Sequence, residues 1–260
     1  MRPRAETEIR RRGGNNNMPF DYTKLDPSDV SFALLRHHLL FAPINPERRV
    51  FSAQEGLDWA IVVVTHNDSD PDAPLVIIHG SQGRLIRPLL EEALSADRRY
   101  LFIVPNQLRP LLKSVLREIE YGRHCLLYSC HSLALNRDLQ DVVRTNPLEG
   151  CYTYHKQLAG KWASEARVNW QVEYFAEVGV YTKKEFRGRG FAKDVVFALT
   201  REILASGRWP LYVVSRHNAA SIAVCQALGY QYSGKSEYEV VGLYSPHTNR
   251  LRSRHRSFDD

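Results

Sequence analysis

The stretch Glu185–Ala192, EFRGRGFA, places two glycines and two arginines between an apolar segment and a segment with helical periodicity. This order predicts a turn that leads from a strand into a helix. The first backbone N–H groups of a helix have no partner within it, and the helix dipole is positive there. Glycines at 188 and 190 leave room for an anion, while Arg187, Arg189 and Lys193 add positive charge. The stretch therefore predicts a phosphate or pyrophosphate site; the alternative is a glycine-rich turn with solvated arginines.

Other phosphate-binding motifs do not fit this stretch. A P-loop requires GxxxxGK followed by Ser or Thr, which is absent. A dinucleotide-binding turn requires a third glycine and an acidic residue about 20 residues further on, and both are missing. An RGG-type RNA-binding tail is excluded because the stretch joins two well-patterned elements.

The segments around the turn alternate between strand-like and helix-like patterns. Before it, CYTYHK, WASEARVNW and VEYFAEVGVYT predict three strands of an antiparallel meander, because their connections are short. After it, apolar residues recur at spacings of three and four from Phe191 to Leu204, which predicts a helix that Gly207 ends. The chain then predicts a strand at Leu211–Ser215, a helix from Asn218 to Gly229 and a strand near Tyr238–Tyr244.

The first half of the chain has an alternating pattern of its own. It predicts strands at 58–66, 75–80, 100–105 and 125–131, and helices at about 84–96 and 107–119. Residues 137–150 are polar and predict a junction. We therefore predict an N-terminal α/β domain at residues 18–140 and a second domain at 141–246, with no visible internal repeat.

Two motifs in this order resemble the GCN5-related N-acetyltransferase (GNAT) superfamily. Arg187-x-x-Gly190-x-Ala192 is similar to the Arg/Gln-x-x-Gly-x-Gly/Ala signature of that family, and LYVVSRHNAASIAVCQALGY is similar to its later strand, loop and helix. EVGVYTKKEFRGRGFA looks closest to the glycine N-acyltransferase-like or FR47-like branch, whose members carry an additional, often degenerate, N-terminal half. The resemblance implies an α/β fold with a mixed sheet, a GNAT acyl-CoA acyltransferase domain in the C-terminal half and a degenerate GNAT-like N-terminal half.

The resemblance also implies that acetyl-CoA, or another acyl-CoA, lies in a V between two splayed strands. Its pyrophosphate would contact the backbone amides of Arg187, Gly188, Arg189, Gly190, Phe191 and Ala192. Its pantetheine arm would pair with the backbone of Val180, Tyr181 and Thr182. Asn218 and Ser221 would lie beside the arm or at the start of the last helix.

Acyl transfer to an amine requires a base, because an amine with a pKa of about 10.4 is protonated at neutral pH. Glu177, on the strand that enters the turn, lies where several family members have a glutamate base, and Glu173 is the reserve candidate. The alternative for Glu177 is a carboxylate that only pairs with an arginine. The oxyanion of the intermediate would be held by a backbone N–H near Val180.

Departure of CoA is assisted in many family members by a tyrosine, and this position is Cys225 here. A thiol with a pKa of about 8.5 can donate a proton, so Cys225 is the candidate acid. The alternative is a buried cysteine that packs on the apolar face of a helix. Tyr181 and Tyr230 are further candidates that the sequence does not rank.

Composition restricts the class of protein. The chain is 43% hydrophobic and 25% charged, has no stretch of about 18 apolar residues and has no signal-peptide block, which predicts a cytoplasmic protein without a membrane segment. Much of its formal charge of +6 lies in two basic tails, 1–17 and 247–260, which argues against a nucleic-acid surface. The four cysteines lack metal-ligand spacing, so we expect reduced, mostly buried thiols and no metal.

These features together predict an acetyl-CoA-dependent N-acetyltransferase of the EC 2.3.1 type. The acyl group would pass directly to a primary amine in a ternary complex, with a small molecule as the expected acceptor. One alternative is a non-catalytic acyl-CoA sensor or interaction protein of the same fold. Another is an α/β-hydrolase with Ser132 as nucleophile, although YSCHSLAL lacks both elbow glycines. The acceptor, the acyl chain and the oligomeric state, with a homodimer among the options, stay open.

Overall fold

A computed structural model describes residues 21–42, 46–134, 136–145 and 152–246. The two predicted tails and Cys151 lie outside these residues. Within them, Cys125, Cys130 and Cys225 are buried free thiols, which confirms that prediction for three of the four cysteines. The described part of the chain has no cluster of His, Cys, Asp and Glu side chains that could hold a metal ion, and none of its helices has the length and apolarity of a membrane span.

The described residues form an 11-stranded sheet with helices packed against it. The strands are β1 Arg49–Glu55, β2 Asp58–Thr65, β3 Leu75–Gly80, β4 Arg99–Pro105, β5 Leu116–Ser129, β6 Val142–Thr145, β7 Thr153–Leu158, β8 Lys161–Gln171, β9 Phe175–Thr182, β10 Trp209–Ser215 and β11 Gln231–Tyr244. The helices are α1 Ala33–Arg36, α2 Gly83–Ala93, α3 Arg109–Val115, α4 Phe191–Ala205 and α5 Ala219–Ala227. Shorter 3-10 turns include Val30–Phe32, Asn106–Leu108 and Lys184–Phe186, and a π-helical turn spans His37–Phe41.

The strand order, β1-β2-β3-β4-β11-β5-β10-β9-β8-β7-β6, repeats one topology in both halves. β1 to β3 are antiparallel, and α2 leads from β3 into the parallel strand β4; β7 to β9 are antiparallel, and α4 leads from β9 into the parallel strand β10. Each half then adds a helix and a last antiparallel strand, β5 or β11. The sequence shows no repeat because the likeness is one of topology.

The last strands of the two halves are exchanged. β5 follows the N-terminal half in the chain but pairs with β10, and β11 follows the C-terminal half but pairs with β4. β5 and β11 also pair with each other. The sheet is therefore continuous across the boundary predicted near residue 140, and the division into domains stays a prediction.

Two layers cover the sheet. On one face, α2 packs on a core that includes Val62 and Phe102, while α4 and α5 pack on a core that includes Val178 and Tyr212. On the other face, the segment 21–42 packs on side chains of alternate strand positions such as Ile61. The predicted buried stripe of α4 is confirmed at Val195, Val196, Leu199 and Ile203, while Phe191 and Leu204 at its ends are half-buried.

The structure corrects the sequence interpretation around β5. The predicted helix to residue 119 ends at Val115, and the strand expected at 125–131 runs instead from Leu116 to Ser129. Residues 117–123 are exposed, so this part of β5 has no hydrophobic periodicity to reveal it. The last strand likewise begins at Gln231 rather than near 238. The edge strands β1 and β6 were not predicted, and the meander of β7 to β9 is confirmed.

Candidate functional site

An opening in the sheet lies between β9 and β10. These parallel strands pair only over three positions, the last of which is Leu211 opposite Glu177. Beyond that point β10 continues beside β5, and β9 continues beside β8. Val180, Tyr181 and Thr182 therefore line the β9 side of the opening, with β8 behind them. Their contact with a pantetheine arm stays a prediction.

The glycine-arginine turn lies between the end of β9 and the start of α4. Gly188 and Gly190 have φ of 75° and 82°, in the left-handed region that favours glycine. No hydrogen bond among the described residues uses the backbone N–H groups from Gly188 to Ala192. The Arg187 N–H donates to the Lys184 carbonyl at 3.3 Å, so the free amides begin one residue later than predicted.

The arginines of the turn are exposed. The Arg187 Nε donates to the Thr182 carbonyl at 3.1 Å, which ties the turn to the end of β9. The Arg189 guanidinium lies 4.8 Å from the centre of the Phe191 ring. Positive charge therefore surrounds five backbone donors that no described residue uses, at the start of a 15-residue helix.

A buried acid near the turn does not oppose this positive charge. Asp194, in the first turn of α4, is 7% exposed. The Arg137 guanidinium is 2.6 Å from its carboxylate, and the Lys156 ammonium is 3.5 Å from it. Asp194 therefore has two cationic partners, and the net charge at the start of α4 remains positive.

Glu177 occupies the last paired position of β9, beside the opening. The Asn169 amide Nδ2 donates to its carboxylate at 3.4 Å. Gly179 makes room for this amide, because a Cβ there would lie 2.4 Å from the Asn169 Oδ1. Burial raises the pKa of Glu177 to about 7, against the lowering effect of hydrogen bonds from Asn169 and Trp170. A carboxyl with this pKa can accept a proton near neutral pH.

The sequence reasoning missed two acids that face Glu177 from β11. Glu239 is compensated, because Arg123 lies 2.7 Å from it and the Tyr121 hydroxyl donates to it at 2.9 Å. Glu237 is 9% exposed and has no hydrogen-bond or ion-pair partner among the described residues. Burial, together with the nearby charges of Glu177 and Glu239, raises its pKa to about 8. The alternation in SEYEVV was the available signal, since residues two apart share one face of a strand.

Cys225 lies on the side of α5 that faces the core. It is 0% exposed, and its Sγ donates to the Ile222 carbonyl at 3.2 Å. Burial raises the pKa of this thiol to about 11. These observations favour the alternative that Cys225 packs in the core. Its role as an acid stays a prediction. Tyr230 is also buried, with its hydroxyl 2.6 Å from the Thr200 Oγ1.

Asn218 and Ser221 both form contacts within the protein. The Asn218 Oδ1 accepts a hydrogen bond from the Ser221 N–H at 3.1 Å and so caps α5. The Ser221 Oγ is 2.8 Å from the hydroxyl of Tyr212, a β10 residue that the sequence reasoning did not consider. The two residues thus fix the start of α5 against β10.

Two other sequence candidates lie elsewhere. The reserve base Glu173 lies in the β8–β9 connection, and its carboxylate forms an ion pair with the buried Arg36 of α1. The hydrolase alternative is wrong, because its elbow requires a helix directly after the nucleophile. No helix follows Ser132 within residues 130–134 and 136–141.

Comparisons with known proteins agree with this architecture. Residues 168–239 match the family described as FR47-like protein. A solved GCN5-related N-acetyltransferase from Kribbella flavida is 13% identical, with a TM-score of 0.59, over 81% of this chain and 93% of that one. An acetyltransferase of the GNAT family from Colwellia psychrerythraea is 11% identical, with a TM-score of 0.51, over 78% and 91%. No curated protein matches the chain. The fold is that of the GNAT superfamily, and the predicted resemblance to its FR47-like branch is confirmed.

Proposed function

We propose that this protein transfers an acetyl or other acyl group from acyl-CoA to the primary amine of a small molecule. The GNAT-like fold supports acyl transfer from acyl-CoA in general. The observation that carries the proposal is the start of α4, where five backbone N–H groups without partners in the described chain lie among arginines beside the β9–β10 opening. The cytoplasmic location predicted from the sequence is part of this proposal.

The proposed chemistry uses groups at the edge of the opening. The pyrophosphate binds the amides of Gly188 to Ala192, and the pantetheine arm lies along β9 so that the thioester comes near Glu177. Glu177 accepts a proton as the amine nitrogen attacks the thioester carbonyl. The oxyanion is held by a backbone N–H near Val180. A C–N bond forms, the C–S bond breaks, and the sulfur of CoA takes up a proton as it leaves.

Isothermal titration with acetyl-CoA, free CoA and NAD tests the cofactor. We expect both CoA species to bind and NAD not to bind. Gly190→Asp should abolish CoA binding, because it fills and charges the anion site. Gly207→Asp is the matched control, since Gly207 has φ of 79° and open space around it. It lies at the far end of α4, about 22 Å away at 1.5 Å per residue. Equal CoA affinity in the two variants would contradict the placement.

A second candidate is a non-catalytic acyl-CoA-binding protein. Burial of Cys225 favours it, because the position expected to hold the acid has no contact with solvent. Acyl-CoA binding without acylation of any amine in a broad panel would support this alternative. Turnover that depends on Glu177 would exclude it.

A further inference from the structure

A second opening lies between β3 and β4 in the N-terminal half. These strands pair in parallel only from Leu75 opposite Leu101 to Ile77 opposite Ile103, and then separate as β9 and β10 do. A cavity of about 460 Å³ lies there. Its roof comes from residues 29–32, and its inner wall comes from β5 and the bulged part of β11.

This second opening lacks the anion site of the first. The register places Ile77 where the other pair of strands has Glu177. Only Ser81 and Gln82 connect β3 to α2, whereas the connection from β9 to α4 runs from Lys183 to Gly190. The positive-φ glycines of the described chain include Gly188 and Gly190 but not Gly83. The second opening is therefore not built for a pyrophosphate.

Two acceptors in the cavity instead suit a cation, and the Lys235 ammonium on the same lining lies 3.4 Å from the Asp29 carboxylate. Glu237 lines it as a buried carboxyl without a hydrogen-bond or ion-pair partner in the described chain. The Asn106 Oδ1, a second acceptor on the lining, is buried and has no hydrogen-bond partner among the residues that the structure describes. A buried, unpaired carboxylate is costly, and a ligand with N–H donors and positive charge would offset that cost.

One part of the cavity wall is aromatic and apolar, while polar side chains that include Ser31, Ser81 and Gln107 line the rest. The Phe32 ring lies 6.1 Å from the Trp59 ring and 5.4 Å from the His79 ring, and Leu127 adds an aliphatic surface. Burial lowers the pKa of His79 to about 4, so its ring is neutral. Such a wall accommodates the body of an organic ligand, while Glu237 holds its charged end.

We propose that this cavity binds a small primary amine, with its ammonium group on Glu237 and Asn106 and an aromatic or apolar body beside Phe32 and Trp59. This amine is the acyl acceptor, an assignment that rests on the proposed function. Glu237 lies near Glu177 and Glu239. Its proximity to Glu177 links this cavity to the opening between β9 and β10. The N-terminal half together with β11 would thus supply the acceptor site, and β9 with the start of α4 the acyl-CoA site.

Titration calorimetry on the full chain without CoA, with 2-phenylethylamine and 2-phenylethanol as probes, tests the site. The probes have similar shape and differ in charge. At pH 8.5 Glu237 is mostly carboxylate, since its pKa is about 8, and the amine is still mostly protonated. We expect the amine to bind at least about tenfold more tightly than the alcohol. Equal affinity for the two, or no binding of the amine, would overturn the proposal.

Glu237→Gln should lower the affinity for 2-phenylethylamine by about tenfold and leave that for 2-phenylethanol within about twofold. Glu239→Gln is the matched control, because Glu239 lies on the same strand face and is already paired with Arg123. Equal losses in the two variants would overturn the role of Glu237. Melting curves of both variants would show that each is folded.

Acylation assays with acetyl-CoA separate this inference from the proposed function. If 2-phenylethylamine binds and is acetylated, with a KM that rises in Glu237→Gln, both stand. If acetyl-CoA binds and other amines are acetylated with a KM that Glu237→Gln leaves unchanged, the acceptor site is wrong and the proposed function stands. If the amine binds but no acetyl transfer occurs, its role as acceptor is overturned together with the proposed function.

Discussion

Glu177, Glu237 and Glu239 show how the surroundings of a carboxylate decide what it can do. Glu239 is paired with Arg123, so its charge is compensated. Glu177 accepts hydrogen bonds from Asn169 and Trp170, and burial raises its pKa to about 7. Glu237 has no partner among the described residues, and burial raises its pKa to about 8. Glu177 is therefore suited to proton transfer near neutral pH, and Glu237 to a cationic ligand.

Replacement of the proposed base is the first prediction. Glu177→Gln should lower kcat/KM by about 100-fold, the usual range for loss of a general base, and leave the Kd for acetyl-CoA within about twofold. Steady-state kinetics with an accepted amine, together with calorimetry, measure both. Glu92→Gln, on the exposed side of α2, is the control and should match the parent. A Glu177→Gln enzyme with parental turnover would remove Glu177 as base.

The pH dependence of this effect has a definite sign. The base must be unprotonated, and the pKa of Glu177 is about 7. The ratio of parental to Glu177→Gln activity should therefore rise with pH up to about 7 and level off above it. Using the ratio cancels the titration of the amine, which affects both enzymes equally. A ratio that stays constant from pH 5 to pH 9 would contradict the assignment.

The raised pKa of Glu237 also leads to a prediction about the pH dependence of stability. A glutamate in the unfolded chain titrates near 4.3, whereas the folded pKa of Glu237 is about 8. Between these values the folded state binds more protons, so this residue makes stability fall as pH rises. Glu237→Gln removes that loss and should raise Tm at pH 8.5 by at least about 2–4 °C, for about 1 kcal/mol, with little change near pH 4. A Tm difference independent of pH would contradict the raised pKa.

At the scale of elements, β8 and β9 cooperate to hold Glu177. The Asn169 side chain crosses β9 over Gly179, because no Cβ blocks it there. Gly179→Ala should displace this amide and lower turnover by about tenfold, since small misplacements of catalytic groups are costly. In the Asn169→Ala background the added methyl group meets no amide. The double variant should therefore be no worse than Asn169→Ala alone, and additive losses in kinetics would contradict this contact.

Elements encoded by local pattern were predictable from the sequence. The stripe of α4, the meander of β7 to β9 and the glycine turn each depend on neighbouring residues, and each is confirmed as an element. β5 was not predictable at its start, because its residues 117–123 are exposed and pair with β11 far along the chain.

The candidate site was predictable from the sequence only where its residues lie close together along the chain. Glu177 and the turn lie on one continuous segment, so the sequence places them together. Glu237 reaches the site only because β11 pairs with β4 and β5, which places it opposite Pro105 and Cys125. No spacing in a single sequence reports such a long-range pairing. For Cys225, both its position in the motif and its burial on the apolar face of a helix were readable from the sequence, because each depends on neighbouring residues.

At the scale of the molecule, exchange of the last strands makes each half depend on the other. β5 fills the space between β10 and β11, and its Leu127, Tyr128 and the following Cys130 are buried with residues of the C-terminal half. The same exchange brings Glu237 on β11 into the cavity of the N-terminal half. The proposed acceptor site is therefore formed by both halves, and the proposed acyl-CoA site depends on the first half because β5 pairs with β10.

Cutting the chain at residue 140 tests this dependence. Residues 141–260 alone lack β5, which leaves β10 and β11 with unpaired edges and an incomplete core. We expect this fragment and residues 1–140 each to be unfolded or aggregated when expressed separately, and to form a 1:1 complex that binds acetyl-CoA when co-expressed. Circular dichroism, gel filtration and calorimetry measure this, with the intact chain as control. A 141–260 fragment that unfolds cooperatively and binds acetyl-CoA alone would instead make it an independent domain, as the sequence suggested.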